Sequence, residues 1–138
     1  MGLDLLEREA SEAADLERIF QELRSGDADG IVIASQNLLV KHQGLILQLG
    51  LAKRMPLMSQ RREWVEQGAL VSYGANLART GKAAASRYVD RILKGAKPSE
   101  LPVEQADTLE LVVNLKTAEA LGLTIPQSVV LLASEIVQ

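Results

Sequence analysis

The tract from Gly68 to Gly95, GALVSYGANLARTGKAAASRYVDRILKG, constrains the fold more than any other stretch. An apolar run beginning at Ala69 leads into Ser72, Tyr73, Gly74, Ala75 and Asn76, and a long amphipathic pattern follows until Gly95. The order predicts a strand over Ala69–Tyr73, a polar turn over Ser72–Asn76 and a helix over Leu77–Lys94. The inward stripe of that helix is predicted to be Ala85, Tyr88, Val89 and Ile92. In open α/β folds, ligands sit outside the carboxyl ends of strands, so this turn is the first candidate for a site. A plain strand-to-helix loop is the competing reading. Gly81-Lys82 lies in no GxGxxG or GKS/T pattern, so no phosphate loop is read there.

The rest of the chain supports an α/β class. Leu16, Ile19, Phe20 and Leu23 recur at i, i+3, i+4 and i+7, predicting a helix over Ala13–Arg24 capped by Ser11 or Asp15. Leu3–Glu9 is a candidate short strand. Ile31–Ala34 is a brief β-branched run, predicted as a parallel strand buried on both faces. A helix over Leu38–Lys53 follows, carrying His42 and weakened by Gly44 and Gly50. Met55–Met58 reads as a strand and Glu63–Glu66 as a single helical turn. Val103–Gln105 is a candidate strand, and Thr108–Val113 is a strand with Leu109, Leu111 and Val113 alternating. Asn114 is the N-cap of a helix over Leu115–Leu121 closed by Gly122. The Ile125-Pro126 pair forces an extended break before a final helix over Val129–Val137. The order β-α-β-α-β-β-α-β-α-α predicts a mostly parallel sheet flanked by helices.

Composition narrows function. The absence of cysteine removes disulfides, thiol nucleophiles and zinc–thiolate sites. A single histidine excludes a multi-histidine metal cluster within one chain. A net charge of −3 with no dense basic block gives no nucleic-acid footprint. No nucleophile–base pair, metal set or phosphate loop is readable, so neither an enzyme nor a cofactor is expected. The first residues are acidic and lack the basic and apolar regions of a signal peptide, so the chain as given is expected to be cytoplasmic.

Five segments together point to a family. Arg62–Gly74 resembles RE(F/W)VExGGLxSYG, Tyr88–Pro98 resembles YVDKILKGAKP, and Leu101–Gln105 matches LPVEQ. Val113–Ala118 and Leu121–Pro126 resemble the two ends of INLKTAKALGLTIP. They occur in order and at natural spacing. The chain, from about Ala28 to Gln138, resembles the ABC-transporter substrate-binding proteins of the tryptophan- and tyrosine-binding type. Two departures stand out: Ala75 replaces a proline, and Ala106-Asp107-Thr108 replaces a proline-containing stretch.

The resemblance implies a partial type I periplasmic-binding-protein-like fold, in which two α/β lobes are joined by crossing strands around a ligand cleft. Residues 1–67 would form part of the C-terminal-lobe unit. Residues 68–105 would supply a crossover strand and helix on the N-terminal-lobe side, and residues 106–138 would return to the first unit. Full-length members are exported, periplasmic or membrane-associated, and deliver a small solute to a membrane permease. At about half the family's length, the chain is expected to be a fragment or the product of a truncated gene. Its uncovered apolar faces imply a homodimer, with swapped elements as one form.

By position at strand ends, the ligand-binding candidates are Ser35, Gln36, Arg62, Tyr73 and Asn76. Tyr73 would pack against an apolar or aromatic solute such as an amino acid, and Asn76 would hydrogen-bond its polar end. Arg62 has two readings, a bidentate partner for a carboxylate or a solvated surface residue. A non-transport dimeric structural or interaction protein is the alternative function.

Overall fold

The computed structural model describes residues 2–24, 26–34, 40–103 and 109–138. The heptad-like spacing of Leu16 and Phe20 produces helix α1 (Ala13–Glu22), which buries both. Asp15 secures its start from inside the first turn. The carboxylate Oδ2 accepts from the backbone N–H of Ser11 at 2.9 Å and of Glu12 at 3.2 Å. Those donors satisfy the acceptor and favour its charged form. The Ser11 bond foremost, then Arg18, holds the Asp15 carboxyl below its ordinary value.

Among the described residues five strands form one sheet: β1 (Ile31–Val32), β2 (Leu57–Ser59), β3 (Val71–Ala75), β4 (Leu109–Asn114) and β5 (Glu135–Val137), in spatial order 1-2-3-4-5. The pairs β1–β2, β2–β3 and β4–β5 are parallel, and β3–β4 alone is antiparallel. The expected mostly parallel α/β sheet is therefore present. The remaining described helices are α2 (Gln43–Ala52), α3 (Arg62–Glu66), α4 (Leu77–Leu93), α5 (Leu115–Leu121) and α6 (Gln127–Leu132). A 3₁₀ turn occupies Pro98–Glu100.

The core joins Leu16 and Phe20 of α1 to Ile46 of α2, Leu57 of β2, Trp64 and Val65 of α3, and Val112 of β4. Although α3 is short, it inserts the only tryptophan into this cluster. Full burial of such a side chain stabilises the fold by on the order of 3 kcal/mol. Gly50 explains itself here. A Cβ at that position would stand 2.8 Å from Leu57 Cδ1, so the glycine lets α2 press onto β2.

Several expectations are corrected. Leu3–Glu9 has no regular structure and is exposed throughout, because β1 pairs with β2 and no described strand flanks its other edge. Nor is β1 buried on both faces: Ile31 is half-buried and Val32 is exposed. Pairing with β4 carries β3 on to Ala75, so Ser72–Ala75 belong to the strand and the turn shrinks to Asn76. In β4 the apolar alternation fails. Leu109 lies beyond the core and is exposed, whereas Val112, Val113 and Asn114 are buried. The final helix stops at Leu132, and Glu135–Val137 joins β4 as a strand. The Ser134 N–H donates to the Leu111 carbonyl at 2.7 Å, which starts that ladder.

Val103 is fully exposed and outside any strand, while Glu104 and Gln105 lie outside the described residues. The stripe expected to point inward from α4 does not do so. No residue of α4 is buried, and Val89 and Ile92 are 53% and 42% exposed, because no described element covers that face.

Candidate functional site

The topology brings several chain segments to one edge of the sheet. The carboxyl ends of β1, β2 and β3 point there. Because β4 runs opposite to β3, and β5 runs with β4, their amino ends arrive at the same edge. Ala75 pairs with Leu109, and Val112 with Glu135. Residues following β2 and β3 thus meet residues that open β4 and β5.

Asn76 stands at this edge as the N-cap of α4. Its Oδ1 accepts from the Arg79 N–H at 2.9 Å, and its Nδ2 donates to Glu110 Oε2 at 3.0 Å. Glu110 is shielded, with 15% of its side chain exposed, and also lies 3.8 Å from Arg79 Nη1. A carboxylate so placed is a strong acceptor for an incoming cationic donor.

Arg62 forms a second cluster. Its Nε and Nη2 donate to Glu66 Oε1 at 3.1 and 3.0 Å, and Nη2 also donates to Glu135 Oε1 at 3.0 Å. The Glu66 bond, followed by the Glu135 charge, raises the guanidinium further above its ordinary value, and the charge of Glu110 contributes. The two clusters therefore share one electrostatic field. Protein carboxylates thus occupy Nε and Nη2 of the Arg62 fork.

Tyr73 lies between these clusters in sequence. The period-2 geometry of β3 buries Ser72 and turns the Tyr73 ring outward, 48% exposed. Ser72 is a mid-strand residue, paired with Ser59 and Val112. Gly74 has a packing reason. A Cβ there would run into the Gln60 backbone carbonyl, so the glycine lets the segment after β2 lie directly on β3.

The structure brings Asn76 together with Arg79 and Glu110, and Arg62 with Glu66 and Glu135. Ser35 and Gln36 lie outside the described residues. Asn114 is a cap: its Oδ1 accepts from the Thr117 N–H and its Nδ2 donates to the Val65 carbonyl, both at 2.9 Å. Glu110 and Glu135 escaped the sequence reading. Each is a lone carboxylate beside apolar strand residues, in Leu109-Glu110-Leu111 and Glu135-Ile136-Val137, and that misfit was the available signal. Among the described residues, no group of three or more His, Asp or Glu side chains is arranged to hold a metal ion. No described helix is long and apolar enough to cross a membrane.

The strand-end edge thus carries an outward aromatic ring and one shielded carboxylate, Glu110. The sequence profile of the family described as "ABC transporter substrate binding protein" matches residues 1–137. The chain belongs to this family. Among solved structures, a conserved domain protein from Vibrio cholerae O1 biovar El Tor aligns with a TM-score of 0.82 and 30% identity, over 98% of this chain and 45% of that one. An ABC domain from Streptococcus pneumoniae in complex with L-Trp aligns with a TM-score of 0.75 and 26% identity, over 91% and 41%. A tyrosine-binding protein from Clostridioides difficile (strain R20291) is 22% identical over 120 residues, covering 87% of this chain and 34% of that protein. This substrate-binding-family chain thus spans between a third and a half of each of these relatives.

Proposed function

We propose that the chain contributes one wall of the solute cleft of an ABC-type importer, and that the solute is an amino acid with an aromatic or branched side chain. The observation that carries this reading is the exposed Tyr73 ring in β3, next to the strand end that Asn76 follows, in a chain of this family. Tyr73 stacks on the solute's side chain, and Asn76 hydrogen-bonds its polar end. Asn76 holds Glu110 in place. Arg62 orders the edge through Glu66 and Glu135.

In this reading residues 1–67 and 106–138 make one unit with β3, and the part of residues 68–105 that follows Ala75 reaches toward a facing lobe. The separation of α4 from the core supports that division. The protein works outside the cytoplasm and passes its solute to a membrane permease. The tyrosine-binding relative and the L-Trp complex support the choice of solute class.

A second reading is favoured by the uncovered face of α4: a homodimeric interaction protein that keeps part of the binding-protein fold. Calorimetry against L-Trp, L-Tyr and the branched amino acids separates the two. Binding that weakens about tenfold in Tyr73→Ala, the loss of roughly 1.4 kcal/mol of aromatic contact, supports the first. An absence of heat and of thermal shift with every amino acid overturns solute binding by this chain.

A further inference from the structure

Glu110 keeps only 15% of its side chain exposed, and the register of the sheet fixes which way it faces. It pairs with Gly74, while Tyr73 pairs with Leu111. Directly paired residues of an antiparallel ladder share a face, and successive residues alternate between faces. Glu110 and the Tyr73 ring therefore project from opposite faces of the sheet. A Cβ on Gly74 would run into the Gln60 carbonyl, so the segment after β2 crosses the Glu110 face at this rung. A solute stacked on the Tyr73 ring does not touch Glu110. Any effect of this carboxylate on such a solute passes through a residue at the rim, where the two faces meet.

That residue is Asn76. The last rung of the β3–β4 ladder joins Ala75 to Leu109, and Asn76 follows it. Its half-buried side chain is a primary amide, with one acceptor oxygen and two N–H hydrogens. The oxygen serves the cap: Oδ1 accepts from the Arg79 N–H at 2.9 Å. One hydrogen serves Glu110, whose Oε2 accepts from Nδ2 at 3.0 Å. The other hydrogen has no partner among the described residues. Turning the amide over would set Oδ1 against the Glu110 carboxylate and Nδ2 against the Arg79 N–H, two repulsions in place of two bonds. The hold between Asn76 and Glu110 is mutual, but its consequence for binding has one direction: Asn76 presents a donor.

We propose that Glu110 is a positioning residue that locks the Asn76 amide so that its second N–H donates to the solute's carboxylate, and that the site selects its solute by this carboxylate and not by the ammonium group. An ammonium is a donor, and the Asn76 oxygen is turned onto the first turn of α4. A carboxylate is an acceptor, and a hydrogen bond to a charged acceptor shifts a dissociation constant by about tenfold or more. This rests on the solute-wall reading above and adds the polarity of the contact and the residue that sets it.

Three probes separate the two groups by calorimetry on the full chain: L-Trp, 3-indolepropionate, which lacks the ammonium, and tryptamine, which lacks the carboxylate. L-Trp and indolepropionate are expected to bind about tenfold more tightly than tryptamine, or better. Asn76→Asp keeps the capping oxygen but has no N–H to give. It should weaken the two acids by about tenfold or more and leave tryptamine no weaker. Glu110→Ala frees the amide and should weaken the acids several-fold without changing tryptamine. Glu110→Gln keeps an acceptor for Nδ2 and should restore most of that loss. In the chain without solute, Glu110→Ala should also speed exchange of one Asn76 side-chain amide hydrogen, read by NMR. Circular dichroism spectra of all variants should match the parent.

Equal weakening of all three probes in Asn76→Asp reduces Asn76 to a helix cap and overturns the proposal. Tryptamine that binds as tightly as L-Trp and is lost in Glu110→Ala assigns Glu110 to the ammonium and overturns it too. Glu110→Ala that changes neither the amide exchange nor the affinity for the acids overturns the positioning role. Each of these leaves the solute-wall reading standing. Heat from no probe and no amino acid overturns that reading, and this inference with it.

Discussion

Asn114 joins three parts of the fold, and its removal should show it. Its side chain is 5% exposed at the end of β4. The Oδ1 caps α5 through the Thr117 N–H, and the Nδ2 reaches the Val65 carbonyl at the centre of the core. Loss of a cap costs about 1 kcal/mol. The Val65 carbonyl keeps one partner, the Gly68 N–H at 3.2 Å, so losing the Asn114 bond costs about 1 kcal/mol and not the full penalty of a stranded acceptor. Asn114→Ala should therefore lower stability by about 2 kcal/mol, or roughly 7 °C in melting temperature for a chain of this size.

Asn114→Ser keeps the capping acceptor but cannot reach Val65, so it should lose about half as much. Asn114→Asp keeps the cap but points a buried carboxylate at a carbonyl oxygen. Its folded-state pKa is then raised above the unfolded value, so the folded state binds more protons. The variant should be most stable below the ordinary carboxylate pKa and lose stability as pH rises through the raised value. Urea titrations of the three variants at pH 4 and pH 7 check this. Equal losses in the alanine and serine variants, or an N114D curve that is flat in pH relative to the parent, would refute the assignment of two separable bonds.

Two further outcomes are expected. The Asp15 carboxyl should titrate below its ordinary value of 3.8 by carbon-detected NMR. Because a depressed folded pKa contributes stability above the unfolded value and loses it as pH falls through the folded one, Asp15→Asn should flatten the acid limb of the stability curve. Gly74→Ala should push the Gln60 carbonyl away from β3 and cost about 1–3 kcal/mol, read as faster amide exchange over residues 60–62 and a lower melting temperature.

The elements legible in the sequence are those whose signals are local. The Leu16–Phe20 spacing, the Asn114 cap and the Gly122 stop each act within a few residues, and each appears where it was expected. Features decided by distant partners were not legible. Gly74 and Ala75 read as turn, but the β4 ladder extends the strand through them. Val129–Val137 has helical periodicity throughout, yet its last residues gain more from pairing with β4. The stripe of α4 is amphipathic, but amphipathicity does not say what will cover it. At the candidate site, Tyr73 and Asn76 follow from their position at a strand end. The roles of Glu110 and Glu135 follow only from the reversed direction of β4, which brings them to that edge.

The pairing of Ala75 with Leu109 has one more consequence. The chain leaves the sheet after Ala75 and re-enters it at Leu109 on the same rung, so for the sheet what lies between is an insertion with coincident ends. Closing such a loop depends only logarithmically on its length, about 0.6 kcal/mol for each doubling. The excursion is in effect a graft. It can lengthen, shorten, tilt or exchange its contents while the five-stranded scaffold keeps every rung, which allows selection to reshape one while leaving the other intact.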